Sequence, residues 1–336
     1  MADFDVAALL RGEKSTGWLE VSPRADGGMW RLPLLTVTGE KPGPTLVVLA
    51  GVHGDEYEGI EAIPVAYSQI EPAALAGTVV MVPVCNVPAY EAALRSSPVD
   101  GLNLARVFPG RVDGTVTERI AYALTEQLFR HADFLLDLHS GGVAAEIPTL
   151  IGYTYDESEL GQQMRAAAEA FGAPVIWGHP LPIPPGRSLS AALDLGVPCL
   201  YTEAPGGGYA RPQDVACFSR GIMNLMRHLG MLNGEPEVTA NPVHLVGDGN
   251  LDIVTVAPVS GFFRASVELL QHVKQGETLG QITDFAGKPI AAVTAERDGV
   301  VIMLRRIHRV HAGEGLAQVT QTLESYLSTS NQSTHS

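Results

Sequence analysis

The chain has 336 residues, room for one large domain and a small one, and its 46% hydrophobic against 18% charged residues describe a globular protein with a sizeable core. Its 22 basic against 37 acidic residues give a formal net charge of −15, which argues against nucleic acid or an anionic membrane as partner. No apolar run approaches the ~18 residues of a membrane span, and Met1-Ala2-Asp3-Phe4-Asp5 is acidic where a secretory leader is basic, so a cytoplasmic location is expected.

In chain order, Gly17–Val21 and Trp30–Val37 alternate apolar and polar residues around Asp26-Gly27-Gly28, which predicts a hairpin on a sheet edge. Leu46 to Ala50 is short and apolar, flanked by Pro44 and Gly51, as suits a strand buried on both faces of a parallel sheet. It stops at glycines that carry His53 and Glu56, and Gly51 and Gly54 let the backbone turn so that both side chains aim above the strand's carboxyl end. By itself His-x-x-Glu also fits a polar turn with a solvated glutamate. A helix is expected from about Gly59 to Ile70, then a buried strand from Thr78 to Val84. Asn86, Arg95, Asn103 and Arg106 follow in a long irregular segment, of a kind that is usually functional inside a compact domain.

Thr115 and Glu118 form a capping-box pattern ahead of Ile120, Leu124 and Leu128, which predicts a helix from Thr115 to Arg130. The run Phe134-Leu135-Leu136-Asp137-Leu138 repeats the earlier device, an apolar strand ending in His139 and small residues. Further helices are expected at about Glu157–Phe171 and Asp214–Leu229, beside strands near Pro174 and Val197. The proline-rich stretch His179–Arg187 reads equally as a rigid surface loop or as a rim of a substrate pocket. A third strand ends in Thr202-Glu203 before Gly206-Gly207-Gly208, and Arg211 after it reads as a solvated arginine. Composition shifts near residue 237 to short β-rich runs, giving a division into 1–237, 238–327 and a tail from Ser328 rich in Ser, Thr, Asn and Gln that is expected to be disordered. Val273–Ile282 and Ala295–Val301 resemble a lipoyl-type β-sandwich without its swinging lysine, since no lysine follows Lys288. His308 and His311, beside Arg305, Arg306 and Arg309, read as a surface basic cluster, and Cys85, Cys199 and Cys217 as reduced core thiols.

Open α/β sheets place their chemistry at the carboxyl ends of strands, so the three polar termini converge. Two histidines and a glutamate (His53, Glu56, His139) make a catalytic zinc set with one open position, and Glu203 is the spare carboxylate that such a site needs as a base. Asp137, in strand phase with His139, either orients that ligand or serves as a buried structural acid.

His53-Gly54-Asp55-Glu56, Arg106-Val107-Phe108-Pro109-Gly110, Asp137-Leu138-His139-Ser140-Gly141-Gly142, and Thr202-Glu203 ahead of a glycine run together resemble the succinylglutamate desuccinylase/aspartoacylase family, over roughly residues 40 to 230. Asn86 to Arg95 and Gly110 to Glu118 are similar to its bacterial N-acetyl-diaminobutyrate deacetylase type. The resemblance implies a zinc carboxypeptidase-like fold: a mixed, mostly parallel α/β sheet with helices on both faces, plus a C-terminal β-rich domain. It implies one Zn2+ per chain on His53, Glu56 and His139, with Glu203 as general base and acid and Arg95 polarising the scissile carbonyl. Arg106 is implied to hold a substrate carboxylate, with Asn86 and Asn103 as further substrate contacts. The family pattern has asparagine where this chain has Ala105, and Asn103 is the nearest amide to that place.

The resulting expectation is a zinc-dependent deacylase of a small N-acylated amino acid. A carboxypeptidase acting on short peptides and a non-catalytic zinc-containing binding protein are the alternatives, and assembly into a homo-oligomer is left open. The retained Glu203 weighs against a mere binding module, and the absence of G-x-S-x-G weighs against serine chemistry.

Overall fold

The computed structural model describes residue 6, residues 9–249 and residues 254–333. Strands β1 (Lys14–Pro23) and β2 (Met29–Thr38) form the expected antiparallel hairpin, turned where the Gly28 N–H donates to Asp26 Oδ1 at 2.9 Å. Strand β3 (Lys41–Ala50), helix α1 (Glu58–Gln69) and strand β4 (Ala76–Val82) follow, the two strands pairing in parallel. Residues 46–50 of β3 are fully buried, as an apolar run without alternation predicts for a central parallel strand. A short helix α2 (Val87–Glu91) and the irregular segment lead to α3 (Val116–Gln127), where the Thr115 N–H donates to Glu118 Oε2 at 2.8 Å as the capping box requires.

Strand β5 (Phe134–Leu138) pairs in parallel with β3 and is buried throughout. After it come β6 (Ala145–Glu146), β7 (Leu150–Tyr155), α4 (Glu159–Phe171), β8 (Val175–Pro180), α5 (Ser188–Asp194), β9 (Cys199–Glu203) and α6 (Pro212–His228). Strand β9 inserts between β5 and β7, parallel to the first and antiparallel to the second. Helices cover both faces. A Cβ on Gly59 of α1 would press on the Cβ atoms of Ala50 and Leu138, whereas Ser188 and Leu189 of α5 bond Asp137 and Cys199 on the opposite face.

The remaining elements are β10 (Val243–Val246), β11 (Thr255–Val256), β12 (Gly261–Ala265), β13 (His272–Val273), β14 (Thr278–Thr283), β15 (Pro289–Thr294), β16 (Gly299–Arg305), β17 (Arg309–Val310), β18 (Gly315–Thr322) and α7 (Leu323–Ser333). The large sheet runs β1-β2-β4-β3-β5-β9-β7-β8-β10-β18-β16-β13, with β11 and β6 attached to β18 and β16. It therefore continues past residue 237, because β10 pairs in parallel with the free edge of β8. A smaller sheet, β15-β14-β12-β17, closes over its own core, which includes Phe263, Leu279 and Ile282.

Two expectations change here. Strand β7 has no counterpart among the elements read from the sequence, since Gly152 and Thr154 break its apolar run. Helix α7 extends into the stretch from 328 that composition assigned to disorder; near its start the Tyr326 ring packs edge-on against Tyr155 at 5.9 Å. Residues 334–336 of that tail lie outside the described residues. Cys85, Cys199 and Cys217 are buried and unpaired, as core thiols should be.

Candidate active site

The loops that leave β3, β5 and β9 are tied to one another by side-chain to backbone hydrogen bonds. Ser140 N–H donates to Glu56 Oε2 (3.1 Å), Val143 N–H to Asp55 Oδ2 (3.0 Å), Gly206 N–H to Glu58 Oε1 (2.9 Å) and His139 N–H to Thr202 Oγ1 (3.2 Å). Each loop thus holds the next in place at the carboxyl end of the sheet. The turn at Gly51 has φ +62, a left-handed conformation that favours glycine, and a Cβ at Gly54 would sit 2.1 Å from the Ala89 carbonyl carbon, so Gly54 is required for the close approach to α2.

His53, Glu56 and His139 meet there, with one ligand atom from each lying within 4.8 Å of the others. His53 Nδ1 is 2.7 Å from Glu56 Oε1, and His139 Nδ1 is 2.9 Å from Glu56 Oε2. The outer nitrogens face oxygen as well: His53 Nε2 lies 3.0 Å from Asn103 Oδ1, and His139 Nε2 lies 3.0 Å from Asp137 Oδ2. The Ala105 N–H donates to the same Asn103 Oδ1 at 2.9 Å, so the oxygen of that amide is the end turned to His53. A neutral imidazole has one N–H. With that proton directed outward, to Asn103 or Asp137, both Nδ1 lone pairs converge with the Glu56 carboxylate on one point. Such a donor set fits a divalent cation, and the outward acceptors fix the tautomers as ligand-supporting oxygens do.

The electrostatics agree. Burial and Arg95 push His53 down to about 4, a neutral ligand. Burial opposes charge on Glu56, but the two imidazoles overcome it and hold the carboxyl well below its usual range. Burial also opposes charge on His139, yet Asp137 and Glu56 raise it well above the ordinary value. A proton on His139 is therefore the charge that balances the buried carboxylates when no cation does.

Glu203 ends β9 beside this cluster, and its Oε2 is buried with no hydrogen-bond partner among the described residues. Burial, reinforced by Glu56, raises it to about 8. A buried carboxylate oxygen with no partner among the described residues is a candidate functional position. Both sites open on a cavity of about 380 Å³ walled by Arg95, Arg106, the proline-rich loop (Pro180, Pro182, Ile183, Pro184) and Tyr201. The His179–Arg187 stretch is thus the pocket wall that its second reading described.

The other expected residues divide. Arg95 lines the cavity, and its Nη1 donates to Glu56 Oε1 at 2.8 Å. Arg106 lines the cavity too, with Nη1 donating to the Ala105 carbonyl. Asn103 supports His53 rather than facing the cavity. Asn86 is fully buried: its Oδ1 accepts from Ala89 N–H and its Nδ2 donates to Val52 O, so it braces the backbone around the His53 loop and does not reach the cavity. Asp137 is fully buried and its Oδ2 faces His139 Nε2 at 3.0 Å. Arg211, its side chain 31% exposed, pairs with Asp214. Beyond the His179–Arg187 stretch, both ends of which line the cavity, the structure adds Tyr201, Asp248 and Arg297 to the wall, and none of these three carried a signal in the sequence.

Comparison with known proteins agrees with this geometry. Residues 42–229 match the succinylglutamate desuccinylase/aspartoacylase catalytic domain. The chain is 34% identical over 320 residues to an N-alpha-acetyl-L-2,4-diaminobutyric acid deacetylase of Halomonas elongata, covering 92% of each chain. It superposes on a succinylglutamate desuccinylase/aspartoacylase of Rhodobacter sphaeroides with a TM-score of 0.86 at 30% identity, covering 96% of this chain and 98% of that one. The ectoine utilization protein EutE of Ruegeria pomeroyi, in a product-bound structure, gives a TM-score of 0.86 at 30% identity, covering 94% and 97%. The protein belongs to the succinylglutamate desuccinylase/aspartoacylase family.

Proposed function

We propose that this protein is a zinc-dependent deacylase that hydrolyses the amide bond of a small N-acylated amino acid. The observation that carries the reading is the convergence of two Nδ1 atoms and a carboxylate, with Glu203, whose Oε2 has no partner among the described residues, lining the same cavity. The cavity volume, about 380 Å³, suits a small molecule better than a peptide chain. The relatives' names support the same substrate class.

His53, Glu56 and His139 would hold the metal, with Asn103 and Asp137 orienting the two imidazoles. Zinc in such a set acts as a Lewis acid toward the carbonyl and lowers the pKa of water toward ~7. Glu203 takes the proton from the attacking water and returns it to the leaving amine nitrogen as the C–N bond breaks, so that free acid and free amine leave. Arg95, within reach of Glu56, supplies positive charge where the carbonyl oxygen becomes anionic. Arg106 offers a planar fork to a substrate carboxylate.

The test is a panel of N-acetylated amino acids assayed beside blocked dipeptides with metal analysis of the same preparation. We expect about one zinc per chain and turnover of the acetylated amino acids. Glu203→Gln should retain zinc and lose at least about a hundredfold in rate. Turnover of dipeptides alone, or a Glu203→Gln variant at full rate, overturns the proposal.

A further inference from the structure

Asp137 puts a carboxyl group at 0% exposure on β5, between β3 and β9, and few partners reach it. Its Oδ1 is buried with no hydrogen-bond partner among the described residues, so the group rests on Oδ2. Two donors meet that oxygen: His139 Nε2, at 3.0 Å, and the hydroxyl of Ser188, the first residue of α5. A carboxylate only accepts, so the one hydroxyl proton of Ser188 lies on this bond.

The other polar groups around Asp137 are engaged elsewhere. Tyr201 stands opposite it in the β5–β9 ladder, but the phenol oxygen lies 2.8 Å from His179 Nε2. Burial and the charge of Asp137 push up the thiols of Cys85 and Cys199, which marks both as neighbours. Yet Cys85 Sγ turns to the Val82 carbonyl, and Cys199 Sγ to that of Leu189. Among the described residues, Ser188 is thus the donor besides the presumed metal ligand that holds the Asp137 carboxylate.

The bond joins two parts of the site. Ser188 follows directly on the proline-rich wall and itself lines the cavity, whereas Asp137 lies behind His139, at the ring nitrogen turned away from Glu56. A fixed carboxylate sets the plane of the imidazole and keeps its proton on Nε2, which leaves the Nδ1 lone pair for a cation. The hydroxyl fixes the carboxylate in turn. Helix α5 has other anchors, because Leu189, Ala191 and Ala192 are buried and Ser190 Oγ accepts from the Arg187 N–H at 3.0 Å. Loss of one oxygen at position 188 therefore leaves the helix in place.

We propose that Ser188 is a positioning residue of the metal centre: it holds Asp137 so that His139 presents Nδ1 to the ion, and it ties that ligand to the wall of the substrate cavity. The inference rests on the metal-dependent reading above and adds to it the residue behind Asp137.

The experiment measures the zinc dissociation constant of the full chain by competition with a chromophoric chelator, for wild type, Ser188→Ala, Asp137→Asn and the double variant, with a thermal melt of each metal-free protein. Asp137→Asn should weaken zinc binding at least about tenfold and Ser188→Ala at least about threefold, as changes behind a ligating histidine do. In the Asp137→Asn background, Ser188→Ala should change the constant less than about twofold, because the carboxylate that it orients is gone. A hydroxyl with a merely structural role lowers the melting temperature and leaves the zinc constant alone. That result, or an equal effect of Ser188→Ala on zinc in both backgrounds, overturns the proposal. A wild type without zinc affinity refutes the metal reading itself, whereas zinc binding indifferent to Ser188→Ala refutes only the role of Ser188.

Discussion

Glu203 bears on stability as well as on rate. In the metal-free protein its pKa stands at about 8, against 4.5 for an ordinary glutamate, because burial and Glu56 disfavour its charged form. A carboxyl whose folded pKa is raised supports the fold fully below about pH 4.5, and that support is lost as pH rises through about 8. Glu203→Gln removes the ionisation while keeping the shape. In urea titrations of metal-free protein, the variant should match wild type at pH 5 and exceed it increasingly up to pH 8; a gap that is constant over this range contradicts the raised pKa. The residues of this centre were legible because each sits where an apolar strand meets glycine: His53, Glu56, His139 and Glu203 all have that signature. Asn86 was misplaced because a sequence does not show whether an amide faces a cavity or the backbone. The His179–Tyr201 bond was invisible for a related reason, since 22 residues separate partners that only the strand order brings together.

At the scale of the element, the strand order also explains a glycine. Gly152 lies in the middle of β7, where a side chain would ordinarily strengthen a strand, yet the Tyr201 ring from β9 occupies the place of its Cβ. Gly152→Ala should therefore displace the ring and destabilise the protein by about 1–3 kcal/mol, as overpacking does. It should also raise KM more than it lowers kcat, because Glu203 and the metal cluster are untouched. Denaturant melts and steady-state kinetics read the two effects, and a neutral Gly152→Ala would show that the ring does not need that space. Helices were readable where caps and periodicity agreed, as at Thr115 and Glu118. Strand β7 was not, because the glycine that admits Tyr201 also interrupts the apolar pattern by which a buried strand is recognised.

For the whole molecule, the question is whether residues 238 onward form a separable cap. Composition places a boundary at 237, but the backbone pairing runs through it: Val243 to Val246 of β10 zip onto Val175 to Gly178 of β8, and β18 continues the sheet. Side chains cross the same line, since Val175 and Trp177 share a buried cluster with Leu245, Val300 and Ile302. The cavity is joint as well, for Asp248, Arg297, Gln321 and Tyr326 face His53 and Glu203 across it. A chain ending at residue 237 would expose the edge of β8 and bare Trp177, which is 1% exposed in the full chain. An unpaired parallel edge beside an apolar patch is a template for association. The truncated protein should thus be recovered as aggregate, or as oligomers by light scattering, and should lack the amino-acid binding of the full chain. A monomeric 1–237 fragment with the same metal content as the full chain would instead establish that the first 237 residues fold alone and that the C-terminal strands only complete the pocket.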